Sequence, residues 1–274
     1  MSKIIRRLLF LFLAGIASVV AVFPQTTPAD DEPDFIVPAR PTVSNPAEFQ
    51  KPSVLQLEFG YDANFHASQF RAQQDTPLAV RFAVNRRILV EFDSDSPYSQ
   101  TDKSKMTITG AGDSQLGIQF VLQPENKNRP GIAAAYYIKI PTASEEKGFG
   151  TGRVDHNFIG LISKTFGKTT VDFNAIYLLA GRTSEKGYAT SGKAAFAVTE
   201  NLTKRVGIQG EISGFSRNDE QSGAMFGLGV VTYQINKRMV FDSGVRFGLT
   251  PDAPRVGIVA GITVGIAGLY KKHH

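Results

Sequence analysis

The chain has 274 residues, enough for one all-β domain, with 26 glycines, no tryptophan and no cysteine. The missing thiols exclude disulfides, lipid-anchored cysteine and thiolate metal sites. The formal charge of +5 falls to +2 once residues 1–21 are set aside, because Lys3, Arg6 and Arg7 lie there. That balance does not point to nucleic acid, whose binding needs a clustered basic face.

Residues 1–21 read as a signal peptide. A charged start precedes the uncharged apolar run LLFLFLAGIASVVAVF (8–23), and Val19, Val20 and Ala21 supply small residues for cleavage. An uncleaved anchor is the alternative, but the run is short for a full span. Residues 22–53 hold seven of the chain's fourteen prolines and no periodicity. Proline fixes φ and removes a ladder donor, so this stretch is expected to be a disordered, extended periplasmic lead. A plug is the alternative; the segment has no apolar repeat to pack with.

From residue 54 to 270 the pattern changes. Segments alternate apolar and polar side chains, which places the two kinds on opposite faces of a strand. Twelve are predicted: 54–63, 77–85, 88–96, 113–123, 130–140, 153–166, 169–180, 188–199, 205–215, 223–235, 239–249 and 255–269. In VDFNAIYLLAG (171–181), Val171, Phe173, Ala175, Tyr177 and Leu179 face one way, Asp172 and Asn174 the other. No stretch after the signal is apolar and long enough for a membrane helix. A chain of this kind can enter a bilayer only as a closed barrel, in which every backbone group is paired internally. The fold class is therefore all-β: an antiparallel transmembrane β-barrel of about twelve strands, an even number as in bacterial outer membranes.

The connections point the same way. NRR (85–87), PENKNR (124–129), GK (167–168), NLTK (201–204) and NKR (236–238) are short. The alternate connections, 64–76, 97–112, 142–152 and 181–187, are longer and rich in Gly, Ser and charge; 217–222 is intermediate and TPDAP (250–254) is short. Short periplasmic turns on one rim and long loops on the other are the outer-membrane arrangement. The rival is a soluble sandwich, whose charged faces would be its solvated outside and whose apolar faces would pack as a core.

Little in the chain suggests catalysis. His156 and Asp155 are adjacent on a strand and face opposite ways, and Ser163 follows His156 by an odd step, so it too points away. The oxygen-rich DSDSPYSQTDKS (93–104) lacks the spacing of a calcium loop, and the glycine pairs at 110–112 and 150–152 lead into no helix. No enzyme activity, cofactor or metal site is expected. The remaining candidates are the polar residues at interior parity: Glu58, Arg81, Glu91, Lys139, Asp155, Asp172, Asn174, Lys193, Glu211, Asp242 and Arg246. Buried charges must be paired or wetted, so these either line a narrow polar pore or form an ion-pair network that blocks it.

Gly112-Asp113, Lys139-Ile140-Pro141-Thr142, Gly150-Thr151-Gly152 with Asp155, and Asn174 with Gly181 resemble the signposts of a bacterial outer-membrane family. It is the family named for a meta-pathway of phenol degradation, also labelled simply transporter. The resemblance covers most of residues 54–269 and implies an outer-membrane channel passing small, aromatic or hydrophobic solutes. It carries over no binding residues. Expected partners are outer-membrane lipid, a small solute and the barrel-assembly machinery, with Tyr270 as the terminal aromatic, followed by Lys271, Lys272, His273 and His274. The alternative function is a non-transporting structural or surface-interaction barrel.

Overall fold

The computed structural model describes residues 35–183, 186–218 and 222–266. Residues 1–21, expected to be a signal peptide, residues 22–34 and the C-terminal residues from 267, Tyr270 among them, lie outside the described residues.

Among the described residues, twelve strands form the wall. They are β1 (Leu55–Phe65), β3 (Leu78–Ala83), β4 (Ile88–Ser94), β7 (Ser114–Gln123), β8 (Gly131–Ile140), β9 (Asp155–Phe166), β10 (Thr169–Gly181), β11 (Tyr188–Asn201), β12 (Val206–Phe215), β13 (Ala224–Asn236), β14 (Met239–Gly248) and β15 (Val256–Ile266). Each pairs antiparallel with the next, and β15 returns to β1 in register from Leu55↔Ile266 to Phe65↔Val256. The sheet is closed, so the wall has no free edge.

The alternation has the sense a bilayer requires. Phe173 and Tyr177 on β10, Phe196 on β11, Val231 on β13 and Phe241 and Phe247 on β14 are exposed on the outside. Glu58, Arg81, Asp172, Glu211 and Asp242 are buried inside. A soluble sandwich would reverse this, with apolar faces inward.

Three further strands belong to the long loops, where none is predicted: β2 (Ala72–Asp75), β5 (Tyr98–Thr101) and β6 (Thr107–Gly110). The lower half of β1 pairs with the short strand β3, while its upper residues Asp62–Phe65 pair with β2. β5 and β6 extend that ladder into a flap. The flap docks on the β8–β9 loop. Tyr98 and Phe149 rings lie 4.7 Å apart, and Lys147 Nζ donates to the Thr109 carbonyl at 2.7 Å.

The expected disorder of 22–53 does not hold for the described part. Residues 35–53 form an ordered strap through the barrel interior, in which Ile36, Ala39, Ser44, Ala47, Phe49 and Gln50 are buried. The physical reason is that the wall supplies what the segment lacks. Successive parts of the strap meet different strands, β1, then β12 and β10, then β9 and β7, so no internal repeat is needed.

Candidate functional site

The strap is held mostly by wall side chains bonding to its backbone. Near the short-turn rim, Arg238 stacks over the Phe35 ring at 4.9 Å. Gln56 on β1 then brackets Val37, accepting from its N–H at 2.9 Å and donating to its carbonyl at 2.8 Å. Glu58 takes the N–H groups of Ala39 and Arg40, both at 3.1 Å. The strap crosses the lumen at mid-height. Glu211 on β12 accepts from Val43 and Ser44, and Asn174 on β10 exchanges two bonds with Asn45. Ser163 on β9 accepts from the Ala47 N–H at 2.8 Å, and Gln119 on β7 donates to the carbonyls of Pro46 and Ala47. Ala47 packs among Ala133, Ala135, Tyr137 and Leu161. Phe49 closes the path among Ala83, Leu89 and Val121.

One strap side chain is received by a socket in the wall. Gly60 and Gly261 face each other across β1 and β15, and Asp242 is the β14 partner of Gly261. The Arg40 guanidinium lies over this row. It bonds Asp242 through Nε at 3.3 Å and Nη2 at 3.4 Å, and donates to the Ala260 carbonyl at 3.0 Å. A Cβ at Gly60 would fall 1.5 Å from Arg40 Nη1, and one at Gly261 2.3 Å from Nε. Gly60 makes room for the arginine alone, whereas at Gly261 the Phe59 carbonyl, 2.5 Å from such a Cβ, also excludes a side chain.

Beside the strap sits a buried charge network. Arg81 on β3 is fully buried and bonds Glu91 at 3.1 Å, Glu58 at 3.3 Å and the Val37 carbonyl at 2.9 Å. The Tyr137 hydroxyl donates to Glu91 at 2.9 Å. Its ring crosses over Gly117, where a Cβ would lie 2.2 Å from Cε1. Arg81 is the one cation among these groups, so removing it would leave two buried carboxylates without their counter-charge.

Above the strap the lumen widens toward the long loops. A cavity of about 260 Å³ has Arg40, Pro41, Thr42 and Asn45 as its floor and Asp62, Asp75, Glu91 and Asp95 among its walls. A second, of about 190 Å³, lies against Asp93, Asp95 and Gln115. Ion pairs brace this tier. Lys139 reaches Asp113 at 3.0 Å and Asp155 at 2.9 Å, and Arg246 reaches Asp62 at 2.7 Å. Asp75, on the flap, has no ion pair among the described residues. Burial, then the carboxylates of Asp62 and Asp95, push its carboxyl up to about 7, against the weaker pull of Arg246 and Arg40.

The sequence candidates separate accordingly. Glu58, Asn174, Glu211 and Asp242 are bonded to the strap, Arg81 and Glu91 form the buried network, and Asp172 accepts from Ser163 at 2.5 Å. Lys139, Asp155 and Arg246 belong to the upper tier. Lys193 lies on β11, in register with Ile176 on β10 and Phe215 on β12. His156 lies on the outside, bonded to Tyr136 at 2.7 Å and Tyr188 at 3.2 Å. It does not meet Ser163, which is buried inside. Gln56, Gln119 and Arg40 were not singled out in the sequence. The first two stand at interior parity, but neutral amides carry no signal of their own.

One family profile matches residues 39–264, which includes most of the strap. The chain belongs to the family described as "Putative MetA-pathway of phenol degradation". Among solved structures, it is similar to the COG4313 outer membrane channel from Pseudomonas putida F1. That match has a TM-score of 0.61 and 11% identity over 88% of this chain and 100% of that one. It is also similar to the NanC porin, with a TM-score of 0.54 and 9% identity over 77% of this chain and 98% of that one. At these identities the likeness is one of fold: this family member has the fold of outer-membrane channels. No curated protein matches the sequence.

Proposed function

We propose that the chain is a passive outer-membrane channel for small solutes, with the strap as its internal stop. The observation that carries this reading is the upper cavity of about 260 Å³, which lies toward the long loops and has the strap for its floor. Solutes reach the cavity from outside, and onward passage requires the strap to shift within the lumen. Both similar structures bear the names of conducting proteins, a channel and a porin. The family description points to aromatic compounds. The cavity walls are polar and acidic, which suits a small solute with hydrogen-bonding groups, such as a phenolic hydroxyl or an amine. The likeness to channels and porins supports conduction.

The ordered strap and docked flap favour a second reading, a structural barrel that never conducts. Planar-bilayer recordings of the full mature chain and of a chain lacking residues 35–50 separate the two. The channel reading expects small or rare steps from the full chain and steps several-fold larger without the strap. A barrel silent in both forms would be the structural one.

A further inference from the structure

The two rims of the barrel differ in charge. The five short turns, 84–87, 124–130, 167–168, 202–205 and 237–238, hold nine lysines and arginines and a single acid, Glu125. The six connections on the opposite rim hold ten acids and nine lysines and arginines. The excess of cations is thus confined to one end. Lys168, Lys204, Arg205 and Lys237 are exposed there, and none forms an ion pair among the described residues.

The side chains around these turns mark the edge of the acyl region. Leu122, Phe166 and Ile235 are exposed on the outer face at the strand ends, and Leu202 is exposed in its turn. Lys164 stands on the outer face of β9. Its Nζ bends to the Asn126 carbonyl at 2.7 Å and to Glu125 at 3.0 Å, and lies 5.9 Å from the Phe166 ring. A lysine with its stem along an apolar face and its head at the turn is one that reaches out of hydrocarbon. The turns are short, so their cations sit directly beyond that edge, at the depth of the phospholipid headgroups.

We propose that this rim binds the anionic headgroups of inner-leaflet phospholipids and gathers a shell of them around the base of the barrel. The inference rests on the outer-membrane reading above, but not on conduction. Cations near an anionic leaflet attract its lipids within a Debye length, and both partners are present at this depth. An anionic solute is a poorer occupant, because the lumen behind this rim is the half filled by the strap.

The test is spin-label electron paramagnetic resonance of the full mature chain in phosphatidylethanolamine vesicles. It reads the relative association of spin-labelled phosphatidylglycerol and phosphatidylcholine with the barrel surface. Phosphatidylglycerol is expected to be favoured several-fold at low salt, falling toward parity at high salt. The variant K168Q/K204Q/R205Q/K237Q should lose most of the preference while keeping its heat-modifiable gel mobility, the sign of a folded barrel. Equal association in the parent chain, or a preference that survives both salt and the substitutions, overturns the proposal. So does an unaltered lipid preference in a variant that instead loses anion conductance or binding to an acidic periplasmic protein. Because lipid association is read without current, a barrel that never conducts still passes or fails this test on its own terms.

Discussion

Below Arg40 the lumen is filled by chain; above it the lumen is lined by charge. In the lower tier the wall offers alanines, leucines and amides, and its acids are committed to strap N–H groups, to Arg81 or Arg40, or, for Asp172, to Ser163. In the upper tier ion pairs join strand to strand, and Asp75 and Asp95 face a cavity without an ion pair among the described residues. A dry interior demands that each polar group find a partner. An interior open to water does not, so like charges can stand near one another there. The contrast places the seal in the lower tier and the point of access in the upper.

The largest change should come from removing the strap. Without residues 35–50, the groups on Glu58, Asn174, Glu211 and Asp242 lose their strap partners and meet water instead. Conductance should rise several-fold and the thermal midpoint in detergent should fall, readable by heat-modifiable gel mobility. Next in size is Arg81→Met. It leaves Glu58 and Glu91 buried beside each other, a situation that costs about 3–5 kcal/mol. Urea unfolding in micelles measures it. Adding Glu58→Gln and Glu91→Met should restore much of the loss, since a packed neutral cluster carries no stranded charge. If the triple variant is no better than Arg81→Met, the lower tier is not dry, and the contrast between tiers fails.

The socket gives a finer test of the same boundary. Arg40→Ala removes a paired, partly buried charge bond worth about 1.5–3 kcal/mol. Gly60→Ala reaches the same end from the wall, by occupying the space of the guanidinium. Both should loosen the strap without unfolding the barrel and raise the frequency of open events, to a level between the full chain and the strap deletion. Arg40→Lys keeps the charge but loses the two-point contact with Asp242, and should fall between parent and Arg40→Ala. Identical single-channel records for all three would mean that the strap is fixed elsewhere.

The wall was legible because its rule is local. A strand with one lipid face and one wet face alternates with period two, and short polar turns punctuate it. The segment 169–180 became β10 at Thr169–Gly181, and 153–166 became β9 at Asp155–Phe166. The strap was illegible because its partners are remote in sequence. Asn45 meets Asn174, Ser44 meets Glu211 and Arg40 meets Asp242, at separations of 129, 167 and 202 residues. Its prolines, taken as a mark of disorder, suit this path. Pro38, Pro41 and Pro46 bring no N–H into the dry tier, so fewer donors need satisfying. The flap was hidden for another reason. Strands of four residues among Ser, Asp and Gly leave no periodic trace.

The smallest expected effect concerns the upper tier and its pH. Asp75 pairs with Tyr98 in the β2–β5 ladder and has Asp62, Asp95, Arg246 and Arg40 as its charged neighbours. Its carboxyl is raised from 3.8 to about 7. An acid that binds its proton more tightly in the docked flap than in the open one favours docking when protonated. Between those two values the docked form holds more protons, so docking weakens as pH rises through that window and stays at its weaker level above about 7. Hydrogen exchange at 72–75 and 98–101, corrected for the intrinsic pH dependence of exchange, should show several-fold less protection at pH 8 than at pH 5. Asp75→Asn, which cannot ionise, should flatten the difference and keep the flap protected at both. Protection that rises with pH in the parent chain would mean that Arg246 or Arg40 holds Asp75 as a carboxylate, and that the upper tier compensates its charges as the lower does.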